Sequence, residues 1–66
     1  MTPHEKVIHI IQQLEISDSK VARAIQKSVS TATHKRLRLR DNKFTEQDFQ
    51  RLRDFYLEKF RKIEML

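Results

Sequence analysis

Ser17-Asp18-Ser19-Lys20-Val21-Ala22-Arg23-Ala24-Ile25-Gln26-Lys27-Ser28-Val29-Ser30-Thr31-Ala32-Thr33 is the stretch on which the fold turns. Ser17 is a good helix N-cap, and Asp18 sits at the positive end of the helix dipole that would follow. Ile16 before the cap and Val21 after it are spaced as a hydrophobic staple. Val21, Ala22 and Ile25 share one short apolar face, with Lys20, Arg23 and Lys27 turned away from it. This spacing predicts a helix over 18–27, too short to persist alone in water. Ser28-Val29-Ser30 interrupts the pattern, and Ser30 reads as the N-cap of a further helix over 31–39. The apolar positions of that helix are few, Ala32 and Leu37 with Leu39 at its end. A helix so polar is held on a narrow seam and shows the rest of its surface to something wet.

Outward from this centre the signals are helical in both directions. Thr2 as N-cap, Pro3 at the first helical position and Glu5 as capping-box partner open a helix over 3–14, with Val7, Ile8, Ile10, Ile11 and Leu14 as its stripe. Asp41-Asn42-Lys43 reads as a turn. Thr45 then caps a helix over 46–64, with Asp48 in the capping-box position and Phe44 and Phe49 as a staple. Phe49, Leu52, Tyr56, Phe60 and Ile63 fall within an arc of roughly 80°, which Phe55 and Leu57 widen to roughly 200°. A 66-residue chain has little surface to cover so wide an apolar face. Phe55, Phe60, Ile63 and Leu66 are therefore expected to pair with a second copy, making a homodimer.

The composition agrees with one all-α domain over 1–66, a compact four-helix body with a long amphipathic C-terminal helix. The chain has no Gly and one Pro, whereas hairpin turns favour Gly. It has no Cys, hence no disulfide and no thiolate metal site, and this is compatible with a reducing cytoplasm. No apolar run approaches the ~18 residues of a membrane span, and the first sixteen residues lack the marks of a signal peptide. A cytoplasmic protein, bacterial or phage-encoded, with no membrane partner is expected. His4, His9 and His34 do not have metal-ligand spacing. No strand-turn-helix elbow or Gly-lined oxyanion hole is present, so neither enzyme activity, a cofactor nor a small-molecule substrate is expected.

Charge is concentrated where the apolar pattern is thinnest. Of the net +5, residues 31–43 contribute +4, with Lys35, Arg36, Arg38, Arg40 and Lys43 against Asp41. A polyanion is the natural partner for such a segment. Two short helices joined by a tight turn, the second rich in Ser, Thr and basic residues, form the helix-turn-helix pattern. Ser30, Thr31 and Thr33 allow close approach to DNA, His34 and Lys35 reach base edges, and Arg36, Arg38 and Arg40 suit phosphates. Lys20 and Lys43 are further phosphate contacts.

The segment 17–33 resembles the core of phage repressor and Cro-like regulators. Ala22 stands where that family carries an Ala inside the first motif helix, and Ile25 matches the aliphatic residue three positions later. Ser28-Val29-Ser30-Thr31 looks like the opening of many family recognition helices, and Asn42-Lys43-Phe44-Thr45-Glu46 with Asp48 looks like the start of the closing helix. The resemblance covers about residues 5–57. It implies a small repressor that binds double-stranded DNA in the major groove through residues 31–40. Gln26 and Lys27 replace the Gly and aliphatic residue usual at the turn, which leaves the register of the recognition helix open by one or two residues. The competing expectation is a protein-interaction module, a small phage-type inhibitor or adaptor that meets an acidic partner. RNA binding ranks lower because no aromatic residue lies between Thr31 and Lys43.

Overall fold

Every helix begins on a side chain that closes its own first turn. The computed structural model describes all 66 residues. It has four α-helices and no strand: α1 (Pro3–Leu14), α2 (Asp18–Ile25), α3 (Val29–Leu37) and α4 (Glu46–Glu64), with a 3₁₀ turn at Leu39–Asp41. Thr2 Oγ1 accepts the Glu5 N–H at 3.1 Å while the Glu5 carboxylate accepts the Thr2 N–H at 3.0 Å, a complete capping box. Ser17 caps α2 through the Lys20 N–H. Thr45 and Asp48 cap α4 reciprocally. No helix is long and apolar enough to cross a membrane.

The third helix starts two residues earlier than its sequence suggests. Ser28, not Ser30, is its N-cap and accepts the Thr31 N–H at 3.1 Å. The cause lies in how α2 stops. Gln26 adopts the left-handed conformation at φ 63°, and the Lys27 N–H returns to the Ala22 carbonyl. This Schellman closure reverses the chain within one residue, so Ser28 is already in capping position. Val29 is exposed and needs no core site, so helix can begin there. Only Gln26, Lys27 and Ser28 join the two helices. Glu15, Gln26 and Arg38 end α1, α2 and α3 left-handed, positions that glycine usually occupies.

Val7, Val21, Ala22, Ala24, Ile25, Ala32, Phe44 and Leu52 form the core. α1 packs along α4, and α2 sits between α3 and α4. The alanines on α2 and α3 let those two short helices approach closely, while Phe44 fills the centre from the connection to α4. Arg51 on α4 donates to the Ile25 carbonyl at 3.1 Å and thereby satisfies the C-terminal end of α2 at the turn. His4 is buried against Phe44, and its Nδ1 accepts the Phe44 N–H at 3.1 Å. Leu37 and Leu39 are not in the seam as expected: both are about half exposed.

Candidate nucleic-acid interface

α3 is docked by charge as much as by apolar contact. Ala32 is its one buried apolar side chain, and Lys35, one turn on, is the other buried position. The Lys35 ammonium lies 2.5 Å from Asp48 Oδ2, inside the molecule. Lys27, from the turn, stands 3.7 Å from Asp48 Oδ1. Burial pushes the Asp48 carboxyl up, but the Lys35 hydrogen bond, the Thr45 N–H and the charges of Lys35 and Lys27 outweigh it and hold the group below its ordinary value. Asp48 thus caps α4 and anchors α3 with one side chain.

The opposite flank of α3 is tied to α2. Asp18 accepts from Arg36 Nε at 2.8 Å and Nη2 at 3.0 Å, and from the Thr33 hydroxyl at 2.8 Å. The Arg36 hydrogen bonds hold the Asp18 carboxyl below its usual range and the same contact raises Arg36. The pair is bidentate and bridges the two helices of the motif. Asp18 is thereby neutralised where an isolated carboxylate would repel a phosphate.

With these two flanks committed, the outward face of α3 carries Val29, Ser30, Thr33, His34 and Leu37, spaced on one side of the helix and free of acid. Beyond it the chain leaves the helix axis. Arg38, Arg40 and Asp41 are all left-handed, at φ 56°, 54° and 61°. Non-glycine residues held there cost of order 1 kcal/mol each. That compact turn leaves Arg38 and Arg40 exposed, as is Lys43, and none of the three takes part in the chain's five ion pairs.

The ten residues expected to bind DNA therefore divide. Ser30 and His34 stand exposed on the outward face of α3, while Arg38, Arg40 and Lys43 are exposed after its end, Arg38 and Lys43 lining a groove with Glu5 and Glu46. Thr31 is half-buried and receives the Ser28 hydroxyl proton at 2.8 Å. Thr33 and Arg36 reach the surface but are bonded to Asp18. Lys35 is corrected: its ammonium is spent on Asp48, because a helix anchored on Ala32 turns position 35 inward. Arg38 and Arg40 are corrected in position, since they follow the helix instead of lying along it. Lys20 is exposed on a different side of α2. It lies about 200° around α2 from Asp18 and lines a groove toward α1 and α4, away from α3.

Val29 and Leu37 belong to the exposed face and were missed. Starting the helix at Ser28 would have brought Val29 into it, and the spacing places Leu37 about 140° around the helix from Ala32. No group of three His, Cys, Asp or Glu side chains is placed to hold a metal ion. No family model, curated protein or solved structure matches the chain.

Proposed function

We propose that the chain is a sequence-reading, double-stranded DNA-binding regulator, a small repressor of the bacterial or phage-infected cytoplasm, that presents α3 to the major groove. One observation carries this reading. A three-residue turn joins two short helices, the outward face of the second carries no acid, and Arg38, Arg40 and Lys43, outside every ion pair, follow its end. Ser30 and His34 supply hydrogen-bonding groups for base edges, and Val29 and Leu37 supply apolar contact for thymine methyl groups. Arg38, Arg40 and Lys43 supply phosphate contacts that set register on the duplex. Occupancy of a promoter by such a module represses by exclusion. The reading invokes no cofactor and no catalysis.

The test is selection of bound fragments from random double-stranded DNA, followed by titration of the selected site. Replacing Arg38, Arg40 and Lys43 by Ala weakens binding on all sequences and lowers the salt slope by about 0.9 per lost phosphate contact. Replacing Ser30 or His34 by Ala relaxes preference at single base pairs, by about 1–3 kcal/mol where a paired contact is lost. Unchanged affinity in the triple variant overturns the reading.

The exposed Leu37 and Val29 support a second reading, a protein-interaction module whose α3 face meets an acidic protein. Retention on bulk double-stranded DNA at moderate salt separates the two.

A further inference from the structure

The core-facing stripe of α4 runs past the body it covers. Leu52 is fully buried, Phe60 is 43% exposed and Ile63 is 61% exposed, all on the same side of the helix. A helix of 19 residues spans about 28 Å, more than the short helices beneath it can cover. The body is accordingly elongated, 43 Å by 24 Å by 19 Å. At the foot of the overhang lies a groove of about 370 Å³ whose apolar lining is Leu14, Ile16, Phe55, Tyr56 and Phe60. Its rim carries Lys20, Arg23 and Lys59 and no acid.

We infer that this groove receives the projecting end of α4 from a second copy, in a two-fold exchange. The groove and the overhang are contiguous and share Phe60, so one surface holds both the pocket and the element to fill it. That is the self-complementary patch an isologous dimer requires. The charges also match locally. Glu64 follows Ile63 and lies one turn from Phe60, so an end that seats those two side chains brings a carboxylate to the Lys20 and Arg23 rim. Lys59 lies over the Phe55 ring at 4.8 Å, so one cation of the rim is stacked on part of the apolar lining.

The groove's eight lining residues with Ile63 and Leu66 make about ten contacts a side, below the ~20–30 residues of a standard interface. A patch of this size makes a weak dimer. The inference is independent of DNA binding, because α3 takes no part in it.

Sedimentation equilibrium of the full chain across micromolar to submillimolar concentrations tests it. The wild type shows a monomer–dimer equilibrium. Ile63→Asp and Leu14→Asp each raise the dissociation constant by about a hundredfold or more, since each dimer holds the contact twice. Leu57→Asp, on the far flank of α4, changes it by less than about threefold. An equimolar mixture of Ile63→Asp and Leu14→Asp recovers part of the association, because one groove and one overhang stay intact. Circular dichroism confirms that each variant is folded, and both substituted positions are exposed enough to spare the core. A wild type that stays monomeric throughout, or a Leu14→Asp variant that dimerises normally, overturns the inference. The first result would leave the groove to a different occupant, and the second would mean pairing along α4 alone.

Discussion

Lys35→Met removes the ammonium from the interior and keeps most of the side-chain volume. Asp48 is fully buried, so its carboxylate would lose its closest counter-charge without gaining water. Breaking a buried pair from one side costs about 3–5 kcal/mol. The Thr45 N–H stays in place, and Lys27, 3.7 Å from the other oxygen, can move closer. The expected loss is therefore at the low end, about 3 kcal/mol. For a domain of this size that lowers the melting temperature by about 12–24 °C. Lys27→Met is the control. Its side chain is 35% exposed against 10% for Lys35, and its loss should cost under about 1 kcal/mol. Urea unfolding followed by circular dichroism measures both.

The pH dependence gives a sharper signature. In the wild type Asp48 is held below its ordinary value of 3.8, so its contribution is present above that value and is lost as pH falls through the folded-state pKa. Without Lys35 the burial remains and lifts the carboxyl above its unfolded value. The deficit of Lys35→Met is then greatest near neutral pH and shrinks on acidification. A variant as stable as the wild type at neutral pH, or a deficit that grows in acid, would refute the anchoring role of this pair.

Other consequences follow from the same contacts. Gln26→Gly should stabilise the fold by about 0.5–1 kcal/mol, since Gln26 sits at φ 63° and Gly takes that conformation without the Cβ penalty; a lower melting temperature would show that the side chain does something more. Asp18→Asn should release Arg36 and Thr33, lower stability by about 1–2 kcal/mol and strengthen non-specific DNA binding, read together by melting and by titration with random duplex. His4 is held below its ordinary value of 6.5, chiefly by burial and then by Arg38. Its contribution is present above that value and is lost as pH falls toward the folded-state pKa, so the unfolding midpoint should drop between about pH 7 and pH 5. A flat midpoint across that interval would rule out the neutral His4 that accepts the Phe44 N–H.

Most of the fold was legible because the local signals were redundant. Thr2 with Glu5 and Thr45 with Asp48 are reciprocal caps that need no tertiary information, and α1 and α4 span 3–14 and 46–64 as expected. The start of α3 was ambiguous because Ser28 and Ser30 are equally good caps on local grounds. The decision came from Gln26, and nothing in a glutamine announces a left-handed residue. The site was half legible. Basic residues after Thr31 were readable as a group, but not which of them turn inward. Lys35 could have been placed by counting three residues from Ala32; its partner could not, because Asp48 is distant in sequence and already had a local role as a cap. The aspartate itself was a weak clue. A capping box more often has Glu or Gln there, and here the short side chain serves Thr45 and Lys35 together.

The division of the basic segment changes what DNA binding should look like. With Val29 and Leu37 turned outward, α3 has too little inward apolar surface to dock itself, and Ala32 alone cannot hold a nine-residue helix. Two carboxylates on neighbouring elements, Asp18 on α2 and Asp48 on α4, take up that task from either flank and occupy Arg36 and Lys35 in doing so. Of the five cations in residues 31–43, three remain for phosphates. Five phosphate contacts per copy would give a salt slope near −4.5, and three would give about −2.7. Titration of a selected duplex at several salt concentrations, at protein levels low enough to keep the chain monomeric, distinguishes these values. A slope near −4.5 would mean that DNA pulls Arg36 and Lys35 off their carboxylates, and the docking of α3 derived from those pairs would not describe the bound state.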